Sequence, residues 1–283
     1  MRTRLLPLVV LLAALAPAAP ASAATKTETD SSGPVTAALT YDYTKTATGA
    51  YEFAQLHVTI DRAGVRLVDQ QVGDEGDWPA SAGQRGVSSV TVRDLDADGE
   101  PEVLVDLYTG GANCCWYSDS FRYDAAQNQY IEKALRPMTS FPYTLKDIDH
   151  NGTVEFKTAD YRFAYKYGTN VDTPRPLRLF DWKAGNLVDV TRQFPALAAA
   201  DAADTYKGYL RYRKVKGDNV RGLLAAYLAS SYNARNGRVA WRRVVAAYRR
   251  GDVSKKADSE TGPHGKAYLS SLRRFLKKLG YLR

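Results

Sequence analysis

Nine residues, Asp94 to Glu102, place carboxylates at positions 1, 3, 5 and 9 of a short loop, with glycine at position 6. Alternate side chains of a loop that winds around one point converge on that point. Gly99 allows the sharp turn that carries the backbone past it. Calcium takes six to eight oxygens at roughly 2.3–2.6 Å. Asp94, Asp96, Asp98 and Glu102, with the carbonyl of Glu100 at position 7 and water, would supply them. Asp147, Asp149, Asn151, Gly152 and Glu155 repeat the spacing 53 residues later, with Thr153 at the carbonyl position. Asn151 replaces a carboxylate, so the second loop is expected to bind more weakly, and His150 is expected to point outward. Neither loop is an EF-hand: position 12 is Val105 in one and Thr158 in the other, where that motif needs a bidentate glutamate. The competing reading is a pair of acidic turns that hold themselves without metal.

Cys114 and Cys115 follow the glycine turn Thr109-Gly110-Gly111-Ala112-Asn113 and are the only cysteines in the sequence. A vicinal disulfide pinning the turn, two buried thiols, and pairing with another chain are the three open states. Zinc needs two further ligands, and no other Cys or His is near in sequence. Trp116 and Tyr117 beside them would serve a sugar- or peptide-binding platform or fill the sheet. The three histidines, His57, His150 and His264, lie apart in the sequence. The chain contains no H-E-x-x-H, G-x-S-x-G or Walker pattern. No reaction is written in these residues.

The elements that must position the loops are strand-like. Val35–Tyr43, Glu52–Ile60 and Val65–Val72 read as strands, the last two as a hairpin around Asp61-Arg62-Ala63-Gly64, and Gly73–Gly86 as a loop. Ser88–Val92 and Val103–Tyr108 flank the first acidic loop. The second is a nearly unbroken apolar run, as in a strand buried on both faces. Ser118–Tyr123 pairs with Gln129–Lys133, Tyr143–Leu145 and Val154–Phe156 flank the second loop, and Leu177–Trp182 with Asn186–Val190 forms another hairpin. After Pro195 the period changes, and Ala196–Val215, Asn219–Arg235, Val239–Arg250 and Lys266–Tyr281 read as helices.

At the N-terminus, Arg2 and Arg4 precede an apolar stretch, Leu5–Leu15, and an Ala21-Ser22-Ala23 cleavage pattern. Residues 1–23 are expected to be a signal peptide cleaved near Ala23, too short to span a bilayer, which takes roughly 20 apolar residues. Residues 24–34, polar and acidic, read as a disordered leader. No later stretch reaches transmembrane length. Charge is split: Ala24–Phe194 holds 17 Lys+Arg against 25 Asp+Glu, while Pro195–Arg283 holds 20 against 6. Paired cations such as Arg242-Arg243, Arg249-Arg250, Arg273-Arg274 and Lys277-Lys278 flank the apolar seams of the last helices. Solvated faces, docking on the chain's own acidic half, and attachment to an anionic wall polymer or membrane all account for them. No motif for specific nucleic-acid recognition occurs.

Asp-Leu-Asp-Ala-Asp-Gly-Glu-Pro-Glu-Val-Leu-Val, residues 94–105, resembles the calcium loop of FG-GAP/VCBS-type repeats, found in integrin-like propellers and many secreted bacterial proteins. The resemblance covers about residues 88–165. It implies a structural ion between two strands of a blade, with ligands Asp94, Asp96, Asp98, Glu102 and the Glu100 carbonyl. In the second copy it implies Asp147, Asp149, Asn151 and Glu155. Two copies fall short of a propeller's typical four to eight blades. The expected architecture is therefore α+β, with a β-rich domain of blade-like strand pairs at 35–194 and a basic helical module at 195–283. The expected function is that of an exported calcium-binding protein, secreted or at the cell surface, with a protein or carbohydrate ligand. An extracellular hydrolase with an acidic aromatic cleft and a cationic helical attachment module are the alternatives.

Overall fold

The alternation of apolar and polar residues in the first two thirds of the chain builds three antiparallel sheets, seen in a computed structural model that describes residues 23–83, 87–111, 115–135, 142–170, 173–215, 219–254 and 262–282. The first sheet is a meander of β1 (Ala24–Ser32), β2 (Val35–Lys45), β3 (Tyr51–Arg62) and β4 (Val65–Gln71). The second contains β5 (Trp78–Pro79), β6 (Val90–Arg93), β7 (Glu102–Tyr108), β8 (Trp116–Asp124) and β9 (Gln129–Ala134). There β5 and β6 pair with opposite ends of one edge of β7. The third runs β10 (Thr144–Lys146), β11 (Glu155–Ala159), β12 (Leu177–Lys183) and β13 (Asn186–Asp189). A short helix, α1 (Ala80–Gly83), follows β5.

The middle sheet is buried on both faces, which explains the unbroken apolar run of β7. Val103, Val105 and Leu107 pack against Val35, Leu39, Val58 and Ile60 of the first sheet. Leu104, pointing the other way, joins Phe156, Phe180 and Trp182 of the third. Each of these side chains contributes roughly 1.5–3 kcal/mol by leaving water.

Residues 24–32 correct one expectation. They are strand β1, not a disordered leader, and pair with β2 from Ala24–Tyr43 to Ser32–Val35. Their acidity serves the neighbouring edge: Glu28 accepts from Ser89 N (3.0 Å) and Asp30 from Val92 N (2.8 Å), amides of the β6 edge. Likewise Gly73–Gly86, expected as loop, holds β5 and α1. Of the expected targeting segment, all but Ala23 lies outside the described residues, as does Cys114.

The last third forms α2 (Pro195–Tyr212), α3 (Arg221–Asn233), α4 (Gly237–Arg249) and α5 (Gly265–Lys278), so the whole is α+β. Helix α3 is buried almost all round, and α2, α4 and α5 lay apolar stripes against it. Phe163 and Tyr167, from the turn after β11, complete that helical core. No helix among the described residues is long and apolar enough to cross a membrane.

Candidate metal centre

Both acidic loops join an edge strand to its neighbour, 94–101 between β6 and β7 and 147–154 between β10 and β11. Equal spacing has produced equal backbone paths. Position 4 is left-handed in both loops (Ala97 φ +60°, His150 φ +61°), and so is position 6 (Gly99 φ +88°, Gly152 φ +92°). Position 4 has a side chain and is strained there, so each loop must be held in shape by its own polar groups.

The internal hydrogen bonds match position by position. The amide at position 2 donates to the position 9 carboxylate, Leu95 N to Glu102 Oε2 (3.1 Å) and Ile148 N to Glu155 Oε2 (2.6 Å). The amide at position 6 donates to position 1, Gly99 N to Asp94 Oδ2 (3.0 Å) and Gly152 N to Asp147 Oδ2 (3.1 Å). The amide at position 7 donates to position 5, Glu100 N to Asp98 Oδ1 and Thr153 N to Asn151 Oδ1, both at 2.8 Å. The loops also touch: Val154 N donates to Leu95 O (3.0 Å).

These bonds leave a convergent set of oxygens in each loop. Asp94, Asp96 and Glu102 each present an oxygen within 4.8 Å of the others, and so do Asp147, Asp149 and Glu155. Asp98 stands outside the first group, and the Oδ1 atoms of Asp98 and Asn151 are both engaged by the position 7 amides. In the first loop, Oδ1 of Asp94 and Oδ1 of Asp96 are buried without a hydrogen-bond partner among the described residues. Bare buried carboxylate oxygens are costly. Glu102 is 1 % exposed, and burial, reinforced by the charges of Asp96 and Asp98, pushes its carboxyl up to about 7. Burial and then the charge of Asp98 raise Asp96 as well. A divalent cation would satisfy the bare oxygens and reverse both shifts. The donor set, all hard oxygen, suits calcium.

Glu100 directs its side chain away. It forms an ion pair with Arg62 (2.6 Å), whose guanidinium lies 4.1 Å from the centre of the Tyr123 ring. That leaves only its backbone for the centre, as position 7 requires. In the second loop Asp149 and His150 are exposed, and burial raises Glu155. Sequence reasoning missed two neighbours of the first loop. Arg122 of β8 comes within 3.8 Å of Asp98, and the amide of Ala184, in the β12–β13 turn, pulls Asp96 down against its other shifts. Both arrive through tertiary packing and carry no local signal.

At the far end of the stretch, Thr109 N donates to Cys115 O (3.1 Å), and the Tyr108 ring stacks on Trp116 at 4.7 Å. Cys115 is disulfide-bonded. Trp78, Phe53, Tyr51 and Tyr43 continue this row of rings, in tilted and edge-on contacts, from the second sheet onto the first.

Comparison with known proteins finds a family match in the other part of the chain. Residues 198–280, the helical module, match the sll0997 C-terminal domain family. The probable thylakoid lumen protein sll0997 of Synechocystis sp. is 23% identical over 208 residues, covering 69% of this chain and 61% of that protein. The uncharacterized protein y4bJ of Sinorhizobium fredii is 29% identical over 135 residues, covering 47% of this chain and 20% of that protein. The chain thus spans less than two thirds of the length of either relative. No solved structure matches.

Proposed function

We propose that the chain is an exported, calcium-stabilised binding protein, in which ions at the two acidic loops clamp the middle and third sheets together. The observation that carries this reading is the pair of buried, unpartnered oxygens, Asp94 Oδ1 and Asp96 Oδ1, converging with the almost fully buried Glu102. The loop joins two strands of the sheet that is buried on both faces, which supports a structural role for the ion and a partner bound elsewhere. The resemblance of residues 94–105 to FG-GAP/VCBS loops points the same way.

Export rests on the signal-type N-terminus and on the relative described as a thylakoid lumen protein, which also works beyond a membrane. A secreted or surface location follows from the same reading. Cys115 is disulfide-bonded and Cys114 is the one other cysteine in the sequence, so the bridge is read as vicinal, in keeping with an oxidising compartment. The partially exposed aromatic strip from Tyr43 to Trp116 is the surface for a protein or carbohydrate ligand.

Titration calorimetry of chelated, refolded protein tests the metal. Calcium should bind with heat and raise the unfolding temperature. Neither heat nor shift at millimolar calcium overturns the proposal.

A further inference from the structure

We propose that the helical module carries an elongated groove for a linear polyanion, and that its occupant is an unbranched chain of phosphate groups. Three hollows adjoin, running from the C-terminal half of α5 past residues 279–282 to the α3–α4 corner. The first, of about 550 Å³, is rimmed by Arg162, Lys166, Arg274 and Lys278. The second, of about 380 Å³, shares Arg162 and Leu279 with it. The third, of about 510 Å³, shares Arg192 and Tyr281 with the second and adds Arg235 and Arg238 from the α3–α4 corner.

Charge along this line is one-sided. Among the described residues that line it the one carboxylate is Asp189, paired with Arg178 at 2.6 Å. Arg162 is held by Asp160 (2.6 Å), and Arg192 donates to the carbonyls of Gly280 (2.9 Å) and Tyr281 (2.7 Å). Lys166, Arg235, Arg238, Arg274 and Lys278 are exposed and form no ion pair among the described residues.

Ion pairing does not explain these five. The dipole at the end of α5 favours Lys278, but Arg238 sits in the first turn of α4, where the same dipole opposes a cation and no acidic residue offsets it. Lys166 lies 5.2 Å from the Phe275 ring centre, so even the half-buried floor of the groove is turned toward cations. A row of unpaired cations above a recessed apolar floor suits a threaded chain of anions. A lipid surface calls for protruding apolar side chains, whereas Phe275 and Leu279 are recessed. Stacked nucleobases call for open aromatic faces, whereas Phe163 and Tyr167 pack against Phe275. The groove stands independently of the calcium reading.

The test is fluorescence anisotropy with labelled linear inorganic polyphosphate, in chelator and in calcium. Five contacts at roughly 0.7 each predict a log–log salt slope of about −3.5, or about 100-fold weaker binding from 50 to 200 mM salt. Arg274→Gln with Lys278→Gln, and separately Arg235→Gln with Arg238→Gln, should each weaken binding about tenfold or more and flatten the slope by about 1.4. Arg211→Gln with Lys214→Gln, at and just beyond the end of α2, removes the same charge away from the groove and should change affinity less than about twofold. Equal losses in all three variants would reduce the effect to net charge and overturn the groove. Unchanged binding in both groove variants would overturn it too. Tighter binding to a single-stranded oligonucleotide or to phosphatidylglycerol vesicles than to polyphosphate overturns the assigned occupant.

Discussion

Replacing Asp96 by Ala should change sign with calcium. In chelator, Asp96 is a half-buried carboxylate whose Oδ1 has no partner and whose neighbours include Asp94 and Asp98. Its folded pKa lies above the ordinary aspartate value, so its favourable contribution exists only at low pH, when it is protonated. That contribution is lost as pH rises through the folded value. At neutral pH the ionised group is a liability, and Asp96→Ala should leave the metal-free unfolding temperature unchanged or raise it. With calcium, the same change removes a ligand. If the dissociation constant lies in the range of extracellular modules, about 10⁻⁴–10⁻³ M, then about 10 mM calcium stabilises the wild type by about 1.4–2.7 kcal/mol. For a protein of this size that is about 3–10 °C in unfolding temperature. Differential scanning calorimetry of wild type, Asp96→Ala and Asp149→Ala, each in chelator and in calcium, reads this directly. The variant Asp96→Ala should forfeit most of the calcium-induced shift. Asp149→Ala should forfeit less, because Asp149 is exposed and its loop has Asn151 where the first has Asp98. An Asp96→Ala penalty of equal size in both buffers refutes the metal; the reverse order of the two variants refutes the ranking.

Three further outcomes follow from named contacts. Glu100→Gln should cost about 0.5–1 kcal/mol by weakening the ion pair with Arg62, yet leave calcium affinity within about twofold in titration calorimetry, because only its carbonyl faces the ion. Asp106, raised to about 6 by burial despite hydrogen bonds from Ser118 and Tyr143, contributes stability below the ordinary aspartate value that is lost as pH rises through about 6. Urea midpoints at fixed calcium should therefore fall less steeply between pH 4 and 7 in Asp106→Asn than in wild type. Tyr281→Phe removes a buried hydrogen bond to Asp160 (2.8 Å) and should cost about 1–3 kcal/mol, with amide-exchange protection lost first at the end of α5.

What could be read from the residues was whatever repeats or alternates. The unbroken run of β7 announced a strand buried twice over, and the leucines of α5 announced a helix with one apolar face. The two acidic loops were legible because matched spacing compels matched turns at Ala97 and His150 and at Gly99 and Gly152. Strand β1 was not legible: its threonines, serines and acids look solvent-bound until Ser89 and Val92 supply the amides they accept. Nor was the division of labour at position 5. Asp98 has the ligand spacing, but its Oδ1 is drawn to the Glu100 amide, a choice made by loop geometry that residue type does not reveal. That Phe163 and Tyr167 belong to the helical core depends on contacts with α5, more than a hundred residues away.

The opposite charges of the two halves invite the idea that each neutralises the other by docking, and the junction shows a different solution. Among the described residues no ion pair joins the β-rich part to helices α2–α5. The two are joined by hydrogen bonds in which at most one partner is charged: Leu177 N to Asp201 (3.2 Å), Asn219 to the Tyr167 carbonyl (2.6 Å), Arg192 to the carbonyls beyond α5, and Tyr281 to Asp160. Such bonds fix geometry at buried positions, where an ion pair would carry a desolvation cost that often exceeds its attraction. The consequence is that neither charge excess is consumed by the fold. Acidic oxygens remain gathered at the loops and exposed cations remain around the end of α5 and the α3–α4 corner. A salt titration of stability then separates internal docking from external binding. If the halves were held by charge, raising ionic strength would loosen the junction. The hydrogen-bonded junction should instead keep its unfolding cooperativity while polyanion binding falls away.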